Sequence, residues 1–389
     1  MEIKELGDIL ELQRGYDLPV DDMAGGEIPV VGSNGIVGYH NIKRSIFPTI
    51  TLGRSGSIGK VHYYDRETWV HNTALYVSNF KGNNPLYLYY LLKNLNFENL
   101  KSSSVVPTLN RNYVYPMKVP FVSDINEQKD LANVLSVIDR KIKLNLRMNA
   151  ELEAMAKQLY DYWFVQFDFP DENGKPYKSS GGKMVYNSTL KREIPEEFSA
   201  SNICMKAKIL SGGTPSKAIS DYWKDGAIPF FGPTDYDGNI FQMNTAARIT
   251  EAGLNNCASS LFEEGDIIIT ARGSIGKLVI VGVPMAMNQS CYCLRSNNNE
   301  QYEYLYFLAL QLIEYLKMKG NGSVFKSIIA SDIEDSMLCI APNDVVNKFC
   351  NIIKPLFLQI KENIKENMRL TDLRDSLLPM LMNGQVTVE

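Results

Sequence analysis

The sequence is poor in the residues on which most enzyme sites and membrane anchors depend. Its 389 residues include only three histidines, and its six cysteines form no Cys-x-x-Cys pair, so a zinc site or a histidine base has few candidates. It contains no Gly-x-Ser-x-Gly or His-Glu-x-x-His motif, which excludes two common hydrolase signatures. No apolar run is long enough to span a bilayer, and the charged N-terminus lacks the apolar region of a signal peptide. We therefore expect a cytoplasmic protein with no membrane partner.

The formal net charge of −4 does not indicate nucleic-acid binding by the chain as a whole. Such binding would have to use a local basic patch. With 45% hydrophobic and 22% charged residues the composition is typical of globular domains, and the length suggests two or three of them. Cys291 and Cys293 alternate in a predicted strand, which places both thiols on one face, most simply in a core.

A glycine-rich stretch at residues 51–61, TLGRSGSIGKV, ends in Gly-Lys and invites a phosphate-binding interpretation. The phosphate-loop pattern needs a glycine where Arg54 stands and a hydroxyl residue where Val61 stands. It fails again at a second GSIGK, where these positions hold Ala271 and Leu278. We therefore predict a tight turn between two strands, with the glycines at positive φ. The alternative is an enzyme that binds a nucleotide or S-adenosylmethionine through the Gly-Lys loops.

The second GSIGK indicates that the chain is duplicated. The two occurrences, at residues 56–60 and 273–277, are 217 positions apart. LYYLLKNL at residues 88–95 parallels LYFLALQL at 305–312 with the same offset, and VHNTALYV parallels AMNQSCYCL between them. A repeat of this length predicts a duplicated domain rather than a solenoid.

A long helix is predicted after each copy. Residues 124–164 contain no proline or glycine and carry apolar residues at coiled-coil spacing, and residues 345–384 repeat the pattern 218 positions later. Asparagines recur in register on this seam, where they would lower stability but fix register and partner orientation. The predicted helix-pair seam consists of Ile138, Ile142, Asn145, Asn149, Leu152, Leu159, Leu356, Ile360, Asn363, Asn367, Leu370 and Leu377.

The two helices predict the architecture. We expect an antiparallel pair of about 40 residues, roughly 60 Å long, with a pseudo-two-fold axis near which Asn145 and Asn363 meet. Pro355 should kink the second helix and Pro379 should end it. The expected fold class is α+β, with two mixed α/β globular domains separated by the coiled-coil pair. The expected boundaries are 1–122 for domain 1, 123–165 for helix 1, 166–197 for a turn-rich connector, 198–342 for domain 2 and 343–384 for helix 2.

Residues 107–114, PTLNRNYV, offer a polar group just before the first long helix. Thr108, Asn110 and Arg111 are residue types that contact base edges or phosphates. A polar loop that caps a strand is an equally good interpretation. The matching stretch of the second copy contributes Lys326.

A short stretch at residues 83–87, NNPLY, is close to the Asn-Pro-Pro-Tyr signature of amino-methyltransferases. Its second proline is replaced by Leu86. We therefore expect Asn84-Pro85 to begin a helix, with proline near the first position.

In combination, these motifs resemble the DNA specificity subunit of type I restriction–modification systems. The resemblance covers essentially the whole chain. It rests on the two turns containing GSIGK, on PTLNRNYV, on INEQKDLANVLSVIDRKI at residues 125–142 and on FDFPDENGKPYKSSGGKMV at 167–185. It implies that the globular units are target recognition domains, each recognising one half of a bipartite DNA site, and that the helices are spacers. The second copy has VFKSII in place of PTLNRN, so the two half-sites should differ.

The resemblance also implies that this chain does no chemistry and binds no cofactor or metal. Its partners would be double-stranded DNA, two adenine methyltransferase subunits and the restriction and translocase subunits. S-adenosylmethionine, ATP and Mg²⁺ would belong to those subunits. The candidate DNA-binding residues are Arg54, Ser55, Ser57, Lys60, Thr108, Asn110, Arg111, Arg272, Ser274, Lys277 and Lys326.

Overall fold

The computed structural model describes residues 1–100, 107–319 and 327–386. The chain divides into two compact units. Unit 1 comprises Met1–Ile142 and Arg369–Glu389, and unit 2 comprises Lys143–Met368. Unit 1 therefore takes both ends of the chain, and the division falls inside each of the two long helices. In the described ranges, no helix is both long and apolar enough to cross a membrane.

Unit 1 contains short strands and helices, the first part of the first long helix and the last part of the second. In chain order they are β1 (Glu2–Glu5), α1 (Leu6–Ile9), β2 (Glu11–Arg14), β3 (Ile28–Gly32), β4 (Gly35–His40), β5 (Thr49–Gly53), β6 (Val61–Tyr64), β7 (Trp69–Val70), β8 (Ala74–Asn79), α2 (Pro85–Lys93), α3 (Arg111–Val114), β9 (Lys118–Phe121) and α4 (Ile125–Tyr160). A four-stranded sheet has the order β2-β8-β5-β6, a three-stranded sheet has the order β4-β3-β7, and β1 pairs with β9.

Unit 2 has the same kinds of element and ends in the second long helix. In chain order they are β10 (Met184–Asn187), β11 (Arg192–Pro195), β12 (Ser199–Ser201), β13 (Ala207–Ser211), β14 (Ile228–Phe231), β15 (Phe241–Gln242), β16 (Ala247–Ile249), α5 (Glu251–Asn255), β17 (Ile267–Thr270), β18 (Leu278–Val281), β19 (Ala286–Met287), β20 (Cys291–Ser296), α6 (Tyr302–Lys319), α7 (Ala330–Glu334), β21 (Leu338–Ile340) and α8 (Asn343–Met382). The larger sheets have the orders β13-β20-β17-β18-β15 and β16-β14-β19, and β12 pairs with β21.

The two units repeat one arrangement. β6, β7, β8 and α2 begin 217 residues before β18, β19, β20 and α6. Even a buried side-chain contact repeats, because the hydroxyls of Tyr87 and Tyr304 each accept a hydrogen bond of 3.2 Å from a backbone N–H, that of Val122 or Ala341. The predicted duplication and the α+β class are confirmed.

The start of α2 also follows the prediction. Pro85 is the first residue of the helix, and the Asn84 side chain accepts a hydrogen bond of 2.9 Å from the backbone N–H of Tyr87. Asn84 and Pro85 therefore cap a helix, which accounts for both residues without a methyltransferase motif.

The main core of each unit lies between its larger sheet and the helix that follows. In unit 1 the cluster includes Leu52 of β5 and Leu88 of α2, and in unit 2 it includes Ile267 of β17 and Leu308 of α6. Fully burying one such side chain contributes about 1.5–3 kcal/mol. Cys291 and Cys293 share a separate buried cluster of unit 2, and both thiols are free, as the strand pattern predicted.

Within unit 2, α4 and α8 run antiparallel and pair through asparagines. The Asn145 side-chain amide donates to Asn367 Oδ1 at 2.9 Å, and that of Asn363 donates to Asn149 Oδ1 at 2.8 Å. The expected meeting of Asn145 with Asn363 is therefore wrong by one helical turn. The two pairs are equivalent under the internal repeat, because Asn145 and Asn149 correspond to Asn363 and Asn367. The contact is therefore still pseudo-symmetric: the first asparagine of each helix bonds to the second asparagine of the other.

Within unit 1, the same two helices pack through an ion pair. Arg374 Nη1 donates to Asp139 Oδ1 at 2.9 Å, and the Tyr90 hydroxyl donates to Asp139 Oδ2 at 2.7 Å. The seam residues are all buried or half-buried. They lie on the two helices as follows: Ile138, Ile142, Asn145, Asn149, Leu152 and Leu159 on α4, and Leu356, Ile360, Asn363, Asn367, Leu370 and Leu377 on α8.

The second helix, α8, is continuous from Asn343 to Met382 and so includes both Pro355 and Pro379. The prediction that Pro379 ends it is therefore wrong. A proline in a helix removes one backbone donor. At Pro355 the carbonyl that loses it belongs to Asn351, which is exposed, so water can satisfy it.

The predicted connector, residues 166–197, is ordered against unit 2. β10 and β11 form an antiparallel hairpin from Met184 to Pro195. Phe167 and Phe169 are buried in the core cluster of unit 2, and the Asp168 carboxylate accepts hydrogen bonds from the backbone N–H and hydroxyl of Ser179. The segment thus contributes buried side chains to the core of unit 2.

We expect Asn363→Ala to lower the free energy of unfolding by about 1–3 kcal/mol, because the buried Asn149 Oδ1 loses its donor. Asn351→Ala, at an exposed position of the same helix, is the matched control and should change it by no more than about 0.5 kcal/mol. Urea titration of the purified chain measures both. Equal effects of the two variants would contradict a stabilising role of the asparagine pair.

Burial raises the pKa of Glu303, in α6, to about 7, since removal from water disfavours the carboxylate. Between 4.5, the ordinary value, and about 7 the unfolded chain loses this proton while the folded chain keeps it, so stability falls as pH rises through this window. Glu303→Gln should flatten the dependence of the urea midpoint between pH 5 and 7. The exposed neighbour variant Glu300→Gln should not, and an unchanged slope in Glu303→Gln would contradict the assignment.

Candidate nucleic-acid interface

The glycine-rich stretch of unit 1 is the turn of a β-hairpin. β5 and β6 pair antiparallel from Thr49 opposite Tyr64 to Leu52 opposite Val61. The Gly53 N–H donates to the Lys60 carbonyl at 2.8 Å, and the Gly59 N–H donates to the Gly53 carbonyl at 2.9 Å. Gly56 and Gly59 have φ of 78° and 81°, which L-residues rarely adopt. The predicted turn is confirmed.

The turn of unit 2 has the same backbone hydrogen bonds. The Thr270 N–H donates to the Lys277 carbonyl at 2.9 Å, and the Gly276 N–H donates to the Thr270 carbonyl at 2.8 Å. Gly273 and Gly276 have φ of 77° and 74°. Both copies of GSIGK therefore specify one turn geometry.

This geometry does not suit a nucleotide. A phosphate loop directs backbone N–H groups at its ligand from the start of a helix, whereas each turn here joins two strands and uses N–H groups of Gly53 and Gly59, or of Thr270 and Gly276, within the hairpin. Lys60 Nζ donates to Asn34 Oδ1 at 2.7 Å. The Gly-Lys loops thus lack the arrangement on which the enzyme hypothesis depends.

The hairpin of unit 1 is fixed by two neighbouring segments. The N–H groups of Arg54 and Ser55 donate to the Thr73 carbonyl at 2.9 and 3.1 Å, and the Leu109 N–H donates to the Arg54 carbonyl at 2.8 Å. Ser55 also forms an antiparallel bridge with Thr108. The turn and the PTLNRNYV stretch are therefore held together.

A cleft of about 640 Å³ opens where these segments meet. Four of the predicted DNA-binding residues line it, and three arginines face it. Its lining residues are Gln13, Arg14, Gly15, Tyr16, Asp17, Arg54, Leu75, Thr108, Leu109, Asn110 and Arg111. Asp17 is the acidic residue in this set, so the arginine charges outnumber it.

Backbone carbonyls orient two of the three guanidinium groups. Arg111 Nη1 donates to the Leu12 carbonyl at 2.9 Å, and Arg54 Nη1 donates to the Asn72 carbonyl at 3.4 Å. Arg14 Nη2 lies 3.5 Å from Asp17 Oδ1. An arginine presents five N–H donors in a rigid fork, so a hydrogen bond on one side orients the rest.

A fourth arginine stacks behind the cleft. The Arg44 guanidinium carbon lies 4.7 Å from the ring centre of Tyr16 and 5.1 Å from that of Trp69. The Tyr16 hydroxyl accepts a hydrogen bond of 3.1 Å from Gln13 Nε2. These contacts hold Tyr16, and with it one wall of the cleft, in place.

The remaining candidates of unit 1 lie on the other side of the turn. Ser57 Oγ donates to Asn34 Oδ1 at 3.3 Å, as Lys60 Nζ does at 2.7 Å. Neither Ser57 nor Lys60 lines the cleft. Asn110 caps α3, because its side chain accepts a hydrogen bond of 3.0 Å from the Asn112 N–H. It therefore both caps a helix and lines the cleft.

In unit 2, Arg272, Ser274 and Lys277 are exposed on the turn. Lys277 Nζ lies 5.2 Å from the ring centre of Tyr236, and the Ser274 carbonyl accepts a hydrogen bond from the Thr270 hydroxyl. Lys326 lies outside the described residues. The turn of unit 2 thus exposes two basic side chains, Arg272 and Lys277.

Gln13, Arg14, Tyr16 and Asp17 were missed by the sequence reasoning. A signal for them is the glycine that follows Arg14. A Cβ at Gly15 would lie 2.2 Å from the His71 carbonyl oxygen, and a Cβ at Gly212 would lie 2.2 Å from that of Asn288. A glycine in both copies marks where β2 or β13 closely approaches the segment that binds the turn.

Among the described residues, no group of three His, Cys, Asp or Glu side chains could hold a metal ion.

Comparisons with known proteins cover nearly the whole chain. The family described as "Type I restriction modification DNA specificity domain" matches residues 1–154 and 196–368. The specificity subunit of the type I restriction enzyme MjaIX of Methanocaldococcus jannaschii is 27% identical over 100% of this chain and 94% of its own length. The EcoR124I/EcoR124II specificity subunit of Escherichia coli is 26% identical over 72% of this chain and 67% of its own length.

A solved structure shares the fold. The type I restriction–modification S subunit of M. genitalium superposes with a TM-score of 0.61 at 18% identity, over 98% of this chain and 96% of that one. At this identity the likeness concerns the fold alone.

Titration of the purified chain with ATP or S-adenosylmethionine should give no saturable heat, because each Gly-Lys turn joins two strands and is not followed by the helix start that a phosphate loop needs. Lys60→Ala serves as the matched variant. Stoichiometric binding to the unmodified chain that Lys60→Ala abolishes would instead support a nucleotide site in the Gly-Lys loop.

Proposed function

Because the chain belongs to the type I restriction modification DNA specificity family, we propose that each of its two units recognises one half of a two-part DNA target. The chain is the DNA-recognition subunit of such a system, and specificity subunits are not themselves catalytic. The observation that carries the proposal is the repeated hairpin. One backbone geometry presents Arg54 and Lys60 in unit 1 and Arg272 and Lys277 in unit 2.

The repeat supports two related but different half-sites. Contacts to base edges select the sequence, whereas contacts to phosphates set how a protein sits on the duplex. The two hairpins share their hydrogen bonds, yet Arg54 and Ser55 of unit 1 are replaced by Ala271 and Arg272 in unit 2. Because the two hairpins share a backbone and differ in side chains, each unit would bind its half-site in a similar orientation but select a different sequence.

The long helices are proposed to set the number of unread base pairs. α4 has 36 residues and α8 has 40, and an α-helix rises 1.5 Å per residue. Their asparagine and ion-pair contacts each occupy one register. A spacer of fixed register gives a fixed separation, as a split target requires.

The helices also offer a surface for the methyltransferase subunits. Val137 and Met155 of α4 are each 57% exposed, and Ile352 and Leu373 of α8 are 50% and 47% exposed. These side chains supply exposed apolar surface on both helices that a bound subunit would cover. We propose that two methyltransferase subunits bind here and that restriction and translocase subunits join the complex. S-adenosylmethionine, ATP and Mg²⁺ would be bound by those subunits and not by this chain.

Sequencing of methylated adenines in cells with and without the gene should reveal a bipartite motif that depends on this chain.

Inserting one heptad after Ile142 and one after Met368 leaves the contacts inside each unit intact, because both points lie on the division between the units. The inserted length of about 10 Å should lengthen the unread spacer by about three base pairs without changing either half-site.

A matched variant keeps the length and replaces exposed residues beside the two insertion points, Lys143 and Leu144 of α4 and Arg369 of α8, by alanine. It should leave the spacer unchanged. A lengthened chain that methylates altered half-sites, or the original spacing, would contradict the spacer role while leaving DNA recognition itself intact.

A further inference from the structure

The arginine cleft belongs to unit 1, and the equivalent described positions of unit 2 lack arginine. Arg54 corresponds to Ala271, because the carbonyls of both accept the same hydrogen bond, from Leu109 at 2.8 Å or Ile328 at 2.9 Å. The N–H groups of Ala271 and Arg272 likewise donate to the Ser290 carbonyl, as those of Arg54 and Ser55 do to Thr73.

The other two arginines have equally clear counterparts. Arg111 and Ala330 each begin the short helix, α3 or α7, that follows this hydrogen bond. Arg14 and Ser211 each precede the glycine that closely approaches the carbonyl of His71 or Asn288. Unit 2 therefore has Ser211, Ala271 and Ala330 where unit 1 has Arg14, Arg54 and Arg111.

The shape of the cleft indicates which part of DNA it suits. Base edges lie at the floor of the grooves, about 8.5 Å deep in the major groove, and are reached by protruding helices and strands. A sugar–phosphate strand is the raised part of the duplex and fits a concave surface. The cleft is concave, about 640 Å³ in volume, and is lined by Arg14, Arg54 and Arg111.

We propose that the cleft of unit 1 holds a sugar–phosphate strand of the DNA through Arg14, Arg54 and Arg111. Unit 2 lacks this contact because the equivalent described positions hold Ser211, Ala271 and Ala330. The proposal rests on the proposed function. The Leu12 and Asn72 carbonyls hold Arg111 and Arg54 in position before DNA binds, which lowers the entropy lost on binding. The two halves of the target then contribute unequally to the salt dependence of binding.

The test uses the complete chain in complex with its methyltransferase subunits and a duplex carrying its methylation motif. Arg14→Ala and Arg54→Ala should each weaken binding and lower the slope of log Kd against log salt concentration by about one. Discrimination against single base changes should remain. Arg66→Ala is the matched control, since Arg66 is an exposed arginine of unit 1 that does not line the cleft, and its slope should equal that of the unmodified chain.

Uncharged methylphosphonates placed one at a time along the duplex locate the contact. With the unmodified chain, a methylphosphonate at one or two positions should weaken binding strongly, and these positions should lie within one half-site. In Arg14→Ala and Arg54→Ala, a methylphosphonate at the same positions should no longer weaken binding. Lost discrimination at one base pair with an unchanged slope would overturn the proposal in favour of a guanine contact. An unchanged slope and unchanged sensitivity in both variants would also overturn it. A complex of the unmodified chain that shows no sequence preference would instead contradict the proposed function.

Discussion

The hydrogen bonds that join the glycine-lysine turn to Thr73, just before β8, and to Leu109, before α3, determine where the candidate DNA surface forms. In unit 1 the Thr73 carbonyl accepts from two turn residues, and the carbonyl of one of these accepts from Leu109. The β5–β6 hairpin, the start of β8 and the stretch before α3 therefore meet at one point. The cleft is the space that they leave open, and every one of its arginines is attached to one of these segments or to β2 beside them.

Because these contacts are made by the backbone, the side chains at the site can vary without loss of the fold. Unit 2 keeps the hydrogen bonds with Ala271 and Ile328 in place of Arg54 and Leu109. A duplicated recognition unit has this freedom only if its framework does not depend on the residues that contact DNA. The positions that cannot vary are the glycines, since Gly56 and Gly59 have positive φ and Gly15 has no room for a Cβ. This separation explains why GSIGK recurs while its surroundings differ.

The duplication, the hairpins, the capped start of α2 and both long helices could be predicted from sequence, because each depends on residues close together in the chain. The pairing of Asn145 with Asn367 could not, since helix register depends on packing between residues more than 200 positions apart. Nor could the role of Arg14, because only the folded β2 places it beside Arg54 and Arg111. Pro379 was misjudged since a proline near the end of a packed helix removes only one backbone donor. Leu378 and Leu381, both buried in the core of unit 1, hold that last turn in place.

Polar contacts between α4 and α8 serve register better than stability. A seam of leucines would tolerate a slip of one turn, because one apolar contact would replace another. In unit 2 such a slip would leave at most one asparagine pair, because Asn149 would lie opposite Gln359 or Asn367 instead of Asn363. The observed register is the one in which both pairs form, and a buried amide left unsatisfied costs about 1–3 kcal/mol. In unit 1 it would separate Arg374 from Asp139, and the half-buried Asp139 carboxylate would lose its arginine. The contacts lie on both sides of the division between the units in sequence, so neither unit can shift its helices without breaking one. These polar groups favour one register of α4 and α8, as the proposed spacer role requires.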